Sequence, residues 1–193
     1  MAQIDTQKIF KSLGWQISQR RSGGFTIEFY LADRILTIVP MIQSRGMTSD
    51  NNVITLEEEI RATLFLSTKK FNEAFSIVAN HLPNTSLAFS GEWPRIETAK
   101  LLEEHVHQIS NEAIAWAKRQ DIEKALEEYA AASPQNISCP KIEHLAALAL
   151  FGDARRLRSY RESFERGDRL GFPDFVTEDF IRRALTLAQR KTQ

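Results

Sequence analysis

Apolar positions recur at helical spacing at the start of the chain, where Ile4, Ile9, Phe10 and Leu13 fall near one side of a segment from about Ile4 to Leu13. Gly14 follows, where a left-handed C-terminal cap is expected. The period then changes to two. Trp15, Ile17 and Gln19 alternate with polar residues, Ser22-Gly23-Gly24 supplies a hairpin turn, and Phe25, Ile27, Phe29 and Leu31 continue the alternation. Ala32-Asp33 turns the chain again before the β-branched run Ile35, Leu36, Ile38 and Val39, which Pro40 disturbs. This pattern predicts an antiparallel meander of three strands.

Gln43 to Asn52 is polar and aperiodic and predicts a surface loop. Residues 53 to 66, VITLEEEIRATLFL, carry both signals: Thr55, Thr63 and the aliphatics suit a strand, whereas EEEIRA alone suits a helix. The segment is read as a fourth strand, since a three-stranded meander gains from another. Lys69 to Leu82 places Phe71, Ala74, Phe75, Val78 and Leu82 on the stripe of a helix lying on a sheet, and Pro83 stops it. Pro94 then suits the first turn of a long helix to about Arg119, burying Ile96, Leu101, Leu102, Val106, Ile109, Ala113, Ile114 and Ala117. No further β period is expected. Asp121 caps a helix to Ala132, Ser133-Pro134-Gln135-Asn136 breaks it, and helices follow near Pro140–Phe151, Asp153–Arg166 and Thr177–Lys191.

The expected fold class is therefore α+β: an N-terminal antiparallel sheet of three or four strands packed with helices (residues 1–92), then an all-helical half (residues 93–193). The helical half either forms its own domain or packs on the first as one unit. A boundary, if there is one, falls near Gly91 to Pro94. DIEKALEEY from Asp121 and DARRLRSY from Asp153 echo each other about 32 residues apart, near the period of helical-hairpin repeats.

A chain of 193 residues can bury a core without disulfide or metal staples. Its 42% hydrophobic and 26% charged composition excludes both the disordered class and a membrane-spanning apolar run. The first dozen residues read as an amphipathic helix rather than a secretory signal, and the single cysteine, Cys139, fits a reducing compartment, so the cytoplasm is expected. Twenty-five basic and 25 acidic residues cancel, so no net field draws the chain to nucleic acid or to an anionic membrane. Charge is uneven locally: residues 94–150 carry six Lys/Arg against nine Asp/Glu, and residues 151–193 carry ten against seven.

Catalytic and metal chemistry find little support. Glu104 and His107 form a Glu-x-x-His unit of the kind that di-metal helical bundles project inward, but no second copy exists, and His105 and His107 sit about 200° apart around a helix. Cys139 lies at an expected helix start, where a thiol pKa can fall, and His144 is five residues on. Without a recognisable Asn or Asp partner, Cys139 reads as a buried small side chain. Neither Gly-x-Gly-x-x-Gly nor Gly-Lys-Ser/Thr occurs. In Gly167-Asp168-Arg169-Leu170-Gly171-Phe172-Pro173, Gly167 reads as a helix cap, Leu170 and Phe172 as core plugs and Pro173 as a chain director. Glu57-Glu58-Glu59, Glu103-Glu104 and Glu127-Glu128 are adjacent carboxylates that diverge on any regular structure.

What remains is a weak set of functional expectations. The opening helix and meander, from Ile9-Phe10 to Ile42, resemble in topology the α-β-β-β start of effector-secretion chaperones, from which the long helical half departs. A neutral, motif-free chain can act as a stoichiometric protein-binding module of immunity, inhibitor, chaperone or adaptor type. Its expected partner is another protein with an acidic patch, met by Arg45 in the polar loop, by Arg155, Arg156, Arg158 and Arg161 on one helix, and by Arg169; no cofactor, nucleic acid or membrane is expected. Arg166 ends the same run, whose buried stripe is Leu157, Tyr160 and Phe164. The alternatives are an enzyme assembled from dispersed residues, with His144, Cys139, Glu104, His107 and Arg169 as first candidates, and a short helical-repeat scaffold.

Overall fold

A computed structural model describes residues 5–19, 25–48, 54–80, 85–90, 94–136 and 140–190. In chain order its elements are α1 (Thr6–Ser12), β1 (Gln16–Gln19), β2 (Phe25–Leu31), β3 (Arg34–Thr48), β4 (Ile54–Thr68), α2 (Lys69–Val78), β5 (Ala88–Phe89), β6 (Arg95–Thr98), α3 (Glu103–Arg119), α4 (Ile122–Ala131), α5 (Lys141–Phe151), α6 (Ala154–Glu165) and α7 (Glu178–Arg190). The chain is α+β, an antiparallel sheet followed by helices. It divides into two compact units: Met1–Leu66 with Ala88–Gln120, and Ser67–Leu87 with Asp121–Gln193.

In the first unit the strands lie in the order β1-β2-β3-β4-β5, and β6 also pairs with β4. The register sets Ile17 opposite Ile27, Ile27 opposite Ile38 and Phe29 opposite Leu36, which gathers these side chains on one face. Ile60, Ala62, Leu64 and Leu66 of β4 alternate in the same way and are fully buried. Trp15 stacks edge-on to Phe10 and packs 5.0 Å from Phe29, and its Nε1–H donates to Ser110 Oγ of α3 at 2.9 Å. The Arg34 guanidinium donates to the carbonyls of Ala117 and Gln120, placing a cation on the orphan carbonyls at the end of α3. Trp15→Phe strands the buried Ser110 hydroxyl and removes part of this packing. We expect it to lower stability by about 2 kcal/mol in urea denaturation.

Three expectations about this unit are corrected. Gln43–Thr48 continues β3 instead of forming a loop, and the rest of that segment lies outside the described residues. Met41, Ile42, Gln43 and Ser44 are all exposed, so with water on both faces the strand carries no alternation to read. The helix expected from Pro94 begins only at Glu103, because Arg95–Thr98 is a strand with Arg95 and Glu97 on one face and Ile96 and Thr98 on the other. Ile96 and Leu101 fit either period. The sheet consequently has six strands, its first four forming the expected meander. Residues 53–66 resolve as strand over their described part.

The second unit is built around α5, which packs against α2, α4, α6 and α7. Ile142 and every residue from His144 to Ala149 are buried, so α5 is enclosed around its whole circumference, with His144 its one buried polar side chain among these. Asp121 and Asp153 cap α4 and α6, each accepting a backbone N–H three residues on at 3.0 Å, as expected. Within this unit the apolar stripe of α2 meets α5 and α7, where the sequence reading had it lying on a sheet. The Arg183 guanidinium donates to the Val78 carbonyl at the end of α2, the device Arg34 uses on α3.

Candidate interaction surface

Helix α6 turns Leu157 fully inward and sets Tyr160 and Phe164 in edge-on contact with Phe172, with ring centroids 5.6 Å apart in both pairs. Its arginines divide by what they touch. Arg156 donates to the Ala130 carbonyl at 2.6 Å and pairs with Asp153. Arg161 pairs with Glu165 at 3.2 Å, and Arg166 donates to Ser163 Oγ. Arg169, beyond the helix, donates to the carbonyls of Phe172, Pro173 and Val176 and lies over the Phe164 ring at 5.0 Å. It closes the α6–α7 connection, a local role. The guanidinium groups of Arg155 and Arg158 are exposed and make no hydrogen bond or ion pair with any described residue. Of the arginines expected to meet a partner, Arg155 and Arg158 alone present unengaged charge among the described residues, while Arg156, Arg161 and Arg169 serve the fold. The Arg45 side chain lies outside the described residues.

The candidates for a dispersed catalytic site belong to different units or lie outside the described residues. His144 is fully buried on α5, with Nδ1 2.7 Å from the Tyr129 carbonyl and Nε2 3.1 Å from the Tyr160 hydroxyl. A carbonyl only accepts, so Nδ1 carries the proton and Nε2 accepts from Tyr160. Burial pushes the His144 pKa down, helped by the nearby Arg156 and Lys141 cations and opposed by the Tyr129 carbonyl and Asp153. With both ring nitrogens engaged it ties α4, α5 and α6 together. Glu104 and His107 belong to the first unit, where they line an open concavity of about 550 Å³ along α3 with Glu103, Gln108, Asn111 and Glu112. His107 Nε2 lies 3.4 Å from Glu103 Oε1, a pair within one helix face. Cys139 lies outside the described residues, and among those described no group of three or more His, Cys, Asp or Glu is placed to hold a metal ion. No described helix is long and apolar enough to cross a membrane.

One arrangement escaped sequence reading. On the face of β4 opposite Ile60, Ala62 and Leu64, Glu59 lies opposite Glu97 and Arg61 opposite Arg95, like against like. Ion pairs resolve the repulsion: Glu59 is held diagonally by Arg95 and along its own strand by Arg61, and Arg95 also reaches Glu97 along β6. Its only trace in the sequence is the alternation Glu-x-Arg in one strand and Arg-x-Glu in the other. Phe89 on β5, 68% exposed, shares this face with its cross-strand partner Phe65.

Residues 3–189 match a family described as Family of unknown function (DUF6990). The chain belongs to that family. The match spans nearly all of the chain, so DUF6990 comprises the segments of both units. No curated protein and no solved structure matches.

Proposed function

We propose that this protein acts by stoichiometric binding of another protein, with an acidic patch of the partner meeting the outer face of α6. The observation that carries this reading is the pair of exposed guanidinium groups of Arg155 and Arg158, engaged by no described residue and one helical turn apart on a helix whose other arginines are engaged. Desolvating an unpaired arginine is costly, so such a pair is best matched by carboxylates that accept in forked geometry. Phe151, 51% exposed at the end of α5 and only four residues before Arg155 in sequence, supplies apolar area of the kind that anchors protein interfaces. Immunity, inhibitor, secretion-chaperone and adaptor proteins all work in this way, without chemistry of their own. The single cysteine suits a reducing compartment, and the cytoplasm is the setting this reading calls for.

The test begins with affinity capture of a one-to-one partner from the native extract. Binding of that purified partner is then compared between the wild type and Arg155→Glu/Arg158→Glu. The double reversal is expected to weaken binding about tenfold or more and to flatten its salt dependence. Unchanged affinity and salt dependence would remove α6 from the proposal. Absence of any stoichiometric partner across expression conditions would turn attention to small-molecule ligands, detected by thermal shift.

A further inference from the structure

The edge of the sheet carries a second, independent signal. Strand β6 pairs with β4 on one side, and Ala62 N–H donates to the Pro94 carbonyl at 3.1 Å, which makes 62 and 94 a hydrogen-bonded pair of the antiparallel ladder. Such pairs alternate, so Ile96 and Thr98 also turn their backbone groups toward β4, while Arg95 and Glu97 turn theirs away. Neither of these outward-facing residues has a backbone partner on that side among the described residues, and their side chains are 46% and 53% exposed. An open strand edge of this kind is a template for another strand.

We propose that this edge pairs with the same edge of a second copy of the chain, antiparallel about a two-fold axis through Ile96. In that register Arg95 lies directly opposite Glu97 of the second copy, and Glu97 opposite its Arg95. The two outward residues exchange N–H···O bonds in both directions, four in all. The charges select this arrangement. Sliding the antiparallel pair by two residues either way sets Arg95 against Arg95 or Glu97 against Glu97. Within one chain Glu97 faces Glu59 and Arg95 faces Arg61, and the central register adds an opposite charge beside each. Each then has a like charge on its inner side and an opposite charge on its outer side, in a belt that runs across both sheets. A strand from an unrelated protein would need this sequence pattern by coincidence; a second copy has it by symmetry. Four residues of edge bury less than the area of a standard stable interface, about 1,200–2,000 Å², so the dimer is expected to form at micromolar to high-micromolar concentration. The proposal does not depend on the α6 reading.

Sedimentation velocity of the full chain from about 1 to 500 μM, a span covering micromolar dissociation constants, tests it. The wild type should convert from monomer to dimer across that range. Glu97→Arg, which makes the edge uniformly basic, should weaken dimerisation at least about tenfold. An equimolar mixture of E97R with Arg95→Glu should restore a dimer that neither forms alone. Glu97→Pro removes an outward N–H without touching the β4 ladder, so it should give a monomer with unchanged circular dichroism. If R95E fails to fold beside the buried Glu59, the E97R and E97P results decide. A wild type that stays monomeric at about 500 μM overturns the proposal. So does a dimer that E97P and E97R leave intact, or a pair of folded charge variants that do not combine.

Discussion

Gly171→Ala is expected to destabilise the helical unit by about 3 kcal/mol, and Gly167→Ala by only about 1 kcal/mol, although both glycines have left-handed backbones near φ +80°. The difference lies in what a new Cβ would meet. At Gly167 nothing lies within 4 Å, leaving only the conformational cost. At Gly171 the added carbon would sit 2.8 Å from Gln135 Cα and 2.9 Å from the Pro134 carbonyl oxygen, both backbone atoms that no side-chain rotation can move aside. Phe172, packed between Tyr160 and Phe164, would be displaced with it. Trp15 and Trp116 both fall in the first unit, so circular dichroism at 222 nm is needed to follow the helices of the second. Equal losses for the two variants would mean that the connection between α4 and α5 yields freely.

His144 should make the helical unit acid-sensitive. Its pKa is held below the ordinary value near 6.5 in the folded state, chiefly by burial, and returns to about that value on unfolding. Below pH 6.5 the unfolded chain therefore takes up the proton first. Stability is fully present above that pH and falls as the pH drops toward the folded pKa, by at most about 1.4 kcal/mol per pH unit from this residue. His144→Gln should abolish that part of the slope between pH 6.5 and about 5, before most carboxylates titrate. His144→Ala, which empties a buried site and removes the partner of the Tyr129 carbonyl, should cost about 3–4 kcal/mol at pH 7. Urea denaturation followed at 222 nm at several pH values reads both effects, and an unchanged slope in His144→Gln would show that the acid sensitivity arises elsewhere.

Much of the candidate surface was legible in the sequence as charge, but not as availability. Arg155 and Arg158 could be placed on the outer side of α6 by spacing from Leu157, Tyr160 and Phe164. Nothing in the spacing separates them from Arg156, whose guanidinium reaches the carbonyl of Ala130, 26 residues away in sequence. The engagement of Arg169 was hidden for the same reason: its three carbonyl partners depend on a loop path through Leu170 and Gly171, both with positive φ. The β4–β6 charge arrangement lay further from view, because it needs two strands that are more than 30 residues apart in sequence and a register that neither specifies alone.

The sequence by itself determined what depends on neighbouring backbone and on side-chain period. Asp121 and Asp153 cap their helices, Gly14 and Gly167 take left-handed turns after theirs, and the meander alternates where one face is buried. The helix α5 was equally readable as a helix, near Pro140–Phe151, although its central place was not. Only the tertiary structure decided which partner each apolar face meets. Helix α2, from the strand-rich half of the sequence, packs among α5 and α7, and α3, from the helical half, packs with α1 and β3. An amphipathic stripe specifies that a face will leave water, and burial against a sheet or against helices removes much the same apolar area. The choice therefore rests on shape and on a few long-range polar ties, such as Trp15 to Ser110 in one unit and Tyr129 to His144 in the other, whose members lie far enough apart in the chain that no local pattern joins them.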